Sequence, residues 1–240
     1  MARKCRQIYG IKIKNERSKM KKTILFDLDG TLIDSTPAIL DGFGAAFRAH
    51  GEPAPKPEAV KALVGHPLDV MFAGLGAPTQ LVPDYIAAYK ARYEQVFLEQ
   101  TSLLEGAAGA LALAGEVADV GVVTTKTSKF SVILLEHLGV MKFIKTVIGR
   151  DDVVNPKPDP EPIKTALERL GKTSAQDRAS AFMIGDTTMD LKAAKRAGIA
   201  GVGLVCGYGK KADLREYSSL IFANAFDAVK FIAASERLGM

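Results

Sequence analysis

Apolar residues in this chain fall into short unbroken runs separated by stretches of helical periodicity. The run Thr23-Ile24-Leu25-Phe26-Asp27-Leu28 is short, branched and aromatic, and it stops at a glycine turn. That pattern predicts a strand buried on both faces. Runs of the same kind follow as VADVGVVTT at 117–125, FIKTVIG at 143–149, SAFMIGD at 180–186, IAGVGLV at 199–205 and a shorter SLIFAN at 219–224. Helical patterns lie between them: SKFSVILLEHLG opens on a serine cap and closes at Gly139, DPEPIKTALERLG closes at Gly171, and TTMDLKAAKRAG closes at Gly198. Strands that alternate with single helices predict an α/β fold whose parallel sheet is covered on both faces.

The alternation breaks between about Ser35 and Leu103, where no convincing strand occurs and helical stretches succeed one another: TPAILDGFGAAFRAHG, KPEAVKALVG, PLDVMFAGLG and PDYIAAYKARYEQVFLEQ. Glycine and proline separate them. The expected organisation is an α/β core formed by 20–34 and 104–240, interrupted by a helical cap at 35–103. Phe43, Phe47, Tyr85, Tyr89 and Tyr93 recur at helical spacing in that insertion and are expected to form its core.

With 240 residues, 48% of them hydrophobic, the chain can bury a sizeable core. No apolar run approaches the roughly 20 residues that span a bilayer, and no secretory leader pattern stands at the N-terminus. Cys5 and Cys206 are the only cysteines, which offers no disulfide framework and fits a reducing cytoplasm. Cys206 is expected to be a small hydrophobe at a strand end. The net charge of +5 is unevenly spread: residues 1–22 hold nine Lys/Arg against Glu16, a local +8, so the remainder carries −3. The basic character thus belongs to the tail, and the folded body shows no nucleic-acid signature. Residues 1–19 are read as a disordered basic extension upstream of a natural start at Met20, because strand-forming sequence begins directly after it.

Candidate chemistry gathers where strands end. Asp27 and Asp29 lie two apart at the close of the first strand, and Gly30 lets the chain turn. Two carboxylates so close repel one another unless a cation intervenes or one is protonated. A hard divalent ion with oxygen ligands would satisfy both. The alternative is a turn with solvated aspartates, but a further acidic cluster, GDTTMD, follows another buried strand, with Asp190 one helical turn beyond Asp186. Prolines flank Lys157 in NPKPDPEP and stiffen its loop. It is either a counter-ion to these carboxylates or a clamp for phosphate oxygens. Thr124, at another strand end, offers a hydroxyl and an amide to the same oxygens, or serves only structure. In LVGHPLDV, Gly65 and His66 form a candidate specificity turn, and a surface-loop role for His66 is the alternative. His50 and His137 are expected to be structural.

The ordered set DxDGT, a Thr after a second strand, a downstream Lys and GDxxxD resembles the haloacid-dehalogenase superfamily from Met20 to about residue 235. The resemblance implies a Rossmann-like core with an inserted cap, and a phosphoryl-transfer site. Asp27 would be the nucleophile that forms an aspartyl-phosphate, and Asp29 the acid that protonates the leaving oxygen and then activates water. Mg2+ would be held by the Asp27 carboxylate, the Asp29 main-chain carbonyl and Asp186, with Asp190 supporting them. Thr124 and Lys157 would orient the phosphoryl group, with Gly30 and Thr31 in the DLDGT turn adding amide donors. Thr125, Lys126 and His66 are the expected substrate contacts. A dehalogenase or a phosphonate hydrolase would lack Asp29, which leaves a phosphatase or a phosphomutase. DLDGTLIDS, the helical cap and GVGLVCGYG look most like the phosphoglycolate-phosphatase branch; Thr125 departs from the TNK that such enzymes often carry. The expected partner is a small phosphorylated metabolite, best phosphoglycolate, with a phosphosugar mutase or a pyrophosphatase as alternatives. Monomer and homodimer both stay open.

Overall fold

The computed structural model describes residues 21–235, so the extension expected at 1–19 lies outside the described residues. From the N-terminal side, β1 (Lys22–Phe26) and β2 (Ile33–Asp34) lead into α1 (Thr36–Ala49), α2 (Pro57–Lys61), α3 (Leu68–Gly74) and α4 (Val82–Val96). The chain then returns through β3 (Ser102–Leu103), α5 (Ala107–Val117), β4 (Ala118–Val123), α6 (Ser128–His137) and β5 (Thr146–Ile148). It ends with α7 (Glu161–Arg169), α8 (Ala175–Ala179), β6 (Ala181–Gly185), α9 (Thr188–Ala197), β7 (Ala200–Leu204), α10 (Lys211–Arg215), β8 (Ile221–Phe222) and α11 (Ala225–Ser235). Every strand predicted from an apolar run is present.

Six strands form one sheet in the order β5-β4-β1-β6-β7-β8, with parallel pairing throughout. β1 runs through the middle, where Ile24 pairs with Val120 on one side and Phe182 on the other. Pleating sends alternate side chains to opposite faces. Ile24 and Phe26 accordingly join the larger core with α1, α4, α5 and α11, while Leu25 joins a smaller core built on Ile163, Met183 and Ala193. Such burial on both faces is why these strands read as continuous apolar runs. Gly139, Gly171 and Gly198 follow their helices with φ of 71°, 69° and 74°, the left-handed turn that ends a helix most cheaply with glycine.

Three expectations need correction. Ser102–Leu103 is a strand, pairing antiparallel with Ile33–Asp34 at the two crossings into and out of the helical insertion. Two-residue strands are too short to produce a periodic signal. The cap of α6 is Thr127 rather than a serine; Ser128 lies inside the helix, where its amide bonds Asp151 and its hydroxyl bonds Asp152. Cys206 follows β7 but is exposed, with its Sγ 3.6 Å from the Gly30 carbonyl.

Within the insertion, α1 packs on α4 through Phe43–Tyr89 and Phe47–Tyr85, with ring centroids 4.9 and 5.1 Å apart, and on α3 through Phe43–Phe72 at 4.6 Å. Such pairs add roughly 0.5–1.5 kcal/mol each beyond area burial. His50 caps α1 at its C-terminus and stacks on Tyr85 at 3.8 Å, a structural role. Among the described residues no helix is long and apolar enough to cross a membrane.

Candidate active site

The carboxyl ends of β1, β4 and β6 converge on one buried point. The Asp27 amide donates to the Ile184 carbonyl at 2.8 Å, so sheet pairing carries one residue past β1 and aims the aspartate at the strand ends. Asp186 follows β6, and Asp190 lies in the first turn of α9. One carboxylate oxygen from each of Asp27, Asp186 and Asp190 falls within 4.8 Å of the others, and all three residues are buried. Lys157 reaches in with its Nζ 2.8 Å from Asp27 Oδ1 and 2.6 Å from Asp190 Oδ1, and it donates to the Val123 carbonyl at 3.0 Å. The structure therefore gathers Asp27, Asp186, Asp190 and Lys157, residues spread over 164 positions of sequence, into one cluster.

Three buried carboxylates share this single ammonium. Burial pushes the Asp27 carboxyl up to about 7; Lys157 pulls it down, and Asp190 adds to the rise. Burial also raises Asp186 well above the usual carboxylate range, helped by the charges of Asp27 and Asp190. Burial works against the Lys157 charge, but Asp190 and Asp27 outweigh it and hold its pKa above the ordinary lysine value. The cluster is short of positive charge, and its donors are all hard oxygens. That chemistry fits a divalent cation such as Mg2+, which prefers carboxylates and would invert the local proton affinities.

Backbone turns set these carboxylates in place. Gly30 has φ +81°, and a Cβ there would lie 2.8 Å from Asp186 Cγ and from Tyr208 Cδ2. The close approach lets Thr31 Oγ1 donate to Asp186 Oδ1 at 3.0 Å and the Tyr208 amide donate to Oδ2 at 2.8 Å. Asp190 Oδ2 accepts the Thr187 amide at 3.0 Å and the Thr187 hydroxyl at 2.7 Å, a capping box at the start of α9.

Asp29 belongs to a second, shallower group. Its Oδ1 accepts the Ser35 hydroxyl, and its Oδ2 lies 3.3 Å from Lys126 Nζ. Lys126 also donates to the Tyr93 hydroxyl of α4 at 2.8 Å and lies 4.6 Å from that ring's centroid. Burial opposes the Lys126 charge, but Asp29 foremost, with Tyr93 and Tyr89, raises its pKa above the ordinary value. The Asp27 and Asp29 side chains therefore diverge from the turn: one faces the acidic cluster, the other the insertion.

Thr124 is buried, and its amide is spent on the Ile148 carbonyl at 2.9 Å, so only its hydroxyl is available, and that accepts the Lys126 amide at 3.1 Å. Thr125, Lys126 and His66 line a cavity of about 330 Å³ whose wall also includes Asp29. His66 Nδ1 lies 3.1 Å from the Leu63 carbonyl. Ser35, Tyr93, Thr187 and the Tyr208 amide escaped sequence reasoning. Thr187 had a local signal in its capping box with Asp190; Tyr93 and Tyr208 act across the fold and had none.

Residues 24–204 match the haloacid dehalogenase-like hydrolase family. The chain belongs to that family. It is 34% identical over 221 residues to a phosphoglycolate phosphatase of Shigella boydii, covering 80% of this chain and 85% of that protein. Over 188 residues it is 35% identical to the pyrophosphatase PpaX of Bacillus velezensis, covering 78% and 84%. Over 218 residues it is 34% identical to a protein of Dickeya dadantii named "Probable phosphatase IndB", covering 88% and 92%. A haloacid dehalogenase-like hydrolase from Bacteroides fragilis shares the fold with a TM-score of 0.80 at 24% identity, over 86% of this chain and 99% of that one. The haloacid dehalogenase-like chain described here is a phosphatase of this family.

Proposed function

We propose that the chain hydrolyses small phosphomonoesters through an aspartyl-phosphate on Asp27, with Mg2+ as its cofactor. The observation that supports this most is Lys157 bridging Asp27 and Asp190 beside Asp186, a buried cluster that is short of positive charge. An Asp27 oxygen attacks phosphorus, the bond from phosphorus to the ester oxygen breaks, and Asp29 gives that oxygen its proton. Asp29 then takes a proton from water as the water attacks the same phosphorus, freeing inorganic phosphate and the Asp27 carboxylate. Lys157 and the Thr124 hydroxyl orient the phosphoryl oxygens; the Gly30 and Thr31 amides, expected as further donors, close the turn instead, on the Ile33 carbonyl at 2.9 Å and the Leu28 carbonyl at 3.3 Å. The Asp27 and Asp186 carboxylates and the Asp29 main-chain carbonyl would hold the ion, with Asp190 anchoring Lys157 beside them. Bound Mg2+ supplies neutralising charge for the transferring group, which is most of what phosphoryl transfer requires. Residues 35–103 act as a lid domain over a core expected at 20–34 and 104–240, of which 21–34 and 104–235 are described; the chain crosses at β2 and β3, and the lid excludes water during the reaction.

Phosphoglycolate is the reference substrate, and pyrophosphate is the second reading, because relatives of near-equal identity carry those two names. A phosphosugar mutase would keep its phospho-aspartate and release phosphate slowly. The test is phosphate release from a panel of phosphorylated metabolites and pyrophosphate, with Mg2+ and with a chelator. Release that requires Mg2+ and vanishes in Asp27→Asn is expected; undiminished release by Asp27→Asn removes it as the nucleophile.

A further inference from the structure

The cavity of about 330 Å³ takes Asp29 into its wall, while Asp27, Asp186 and Asp190 do not line it. On the phosphatase chemistry proposed above, on which this inference rests, the phosphoryl group occupies the carboxylate cluster and the leaving oxygen departs past Asp29. The cavity beyond Asp29 is therefore the berth of the organic part. Its size and lining say what that part is.

Glycolate has five heavy atoms; at the ~30 Å³ that a water takes in the liquid, they fill at most about 150 Å³. That is less than half of the 330 Å³ present. Much of the wall is apolar: Ile39, Val64 and Ile86 supply aliphatic surface and Phe43, Tyr89 and Phe130 aromatic surface, with His66 and Asp69 standing among them. A small carboxylated leaving group would need a cation within this wall. Lys126, whose side chain is 9% exposed, is already engaged by Asp29 and Tyr93. Lys90 is exposed, and Arg150 donates to the Val153 carbonyl. A glycolate carboxylate here would have to draw Lys126 from Asp29 or reach the half-buried Arg150, whereas a ring needs no charged partner.

The geometry points to a ring-bearing, largely apolar alcohol as the group esterified to phosphate, in preference to glycolate. Tyr93 and Phe130 stand edge to face with centroids 5.6 Å apart and both line the cavity, which gives an incoming ring aromatic neighbours to pack on.

The test compares kcat/KM for phosphate release from ethyl phosphate, 2-phenylethyl phosphate and phosphoglycolate. The first two share a primary-alcohol leaving group and differ by one ring, so leaving-group chemistry is held nearly constant. The ring is expected to raise kcat/KM by about thirtyfold, the equivalent of about 2 kcal/mol of apolar burial, and to place 2-phenylethyl phosphate above phosphoglycolate. Ile86→Trp, which crowds the cavity from α4, is expected to shrink the 2-phenylethyl to ethyl ratio by about tenfold or more, with folding checked by circular dichroism. Equal or better use of ethyl phosphate or phosphoglycolate by the wild-type protein overturns the inference, and so does a ratio that a folded Ile86→Trp leaves unchanged. If Ile86→Trp does not fold, the wild-type ratios decide. Phosphate release that never exceeds the Asp27→Asn level for any ester is a different failure: it defeats the phosphatase mechanism itself.

Discussion

Replacing Asp27 by Asn in the metal-free protein measures the charge imbalance at the strand ends directly. Asp27, Asp186 and Asp190 crowd one ammonium, and burial pushes the Asp27 carboxyl from 3.8 to about 7. A carboxyl whose pKa is raised by folding binds its proton more tightly in the folded chain. Its contribution to stability is therefore fully present below about pH 3.8 and is lost as the pH rises through about 7. The interval between those values corresponds to about 4 kcal/mol at 1.36 kcal/mol per pK unit. Asn keeps an Oδ1 that can still accept from Lys157, now 2.8 Å from the aspartate oxygen, and it carries no charge to desolvate.

The expected result in chelator at about pH 8 is that Asp27→Asn resists urea better than the wild type, by up to about 4 kcal/mol. The advantage should disappear by about pH 4, where the wild-type carboxyl is protonated. Added Mg2+ should stabilise the wild type more than the variant, because only the wild type offers the full carboxylate set. Urea unfolding followed by far-UV circular dichroism reads all three. A metal-free wild type that is at least as stable as Asp27→Asn at about pH 8 would refute the reasoning, since Lys157 would then neutralise the cluster unaided.

Gly30→Ala should drop phosphate release to background, because the added Cβ meets Asp186 and the Tyr208 ring at a residue with φ +81°. The left-handed backbone alone costs about 1–2 kcal/mol, so a thermal melt should show a folded but weakened protein, and full activity would contradict the placement of Asp186. Tyr93→Phe removes the hydroxyl that Lys126 bonds at 2.8 Å. Steady-state kinetics should show kcat lowered by about fivefold, the equivalent of about 1 kcal/mol, as Lys126 loses one of the contacts holding it beside Asp29. An unchanged kcat would detach Tyr93 from the acid.

The sheet was legible because its strands β1, β4, β5 and β6 are buried on both faces and therefore spell themselves as apolar runs, while the edge strand β8 is only half-buried. The acidic cluster was legible because parallel sheets put ligands at strand ends, and Asp27 and Asp186 each directly extend a strand. α5 was not read: AAGALALAGEV is apolar nearly all round, so it carries little amphipathic signal, although Ala107, Ala110, Leu111 and Ala114 are buried. Tyr93 was read only as helix core, which its burial supports, yet its hydroxyl also reaches Lys126 across the gap from insertion to sheet. Spacing along α4 cannot report that contact, because it depends on how the insertion docks.

Glycines carry part of the site that no motif of charged residues could announce. A Cβ on Gly207 would collide with the Asp186 carboxylate, one on Gly209 with the Asp186 carbonyl, and one on Gly185 with the Asp190 carboxylate. The Gly207-Tyr208-Gly209 loop is thus shaped to press its backbone against Asp186, and the Tyr208 amide bonds Oδ2 as a result. Two consequences follow for the carboxylates. One oxygen each of Asp186 and Asp190 accepts a main-chain amide that cannot swing away, so these two carboxylates are organised before an ion arrives. And the three carboxylates are kept close despite mutual repulsion, so the packing energy of the loops opposes a charge penalty that a bound cation would relieve.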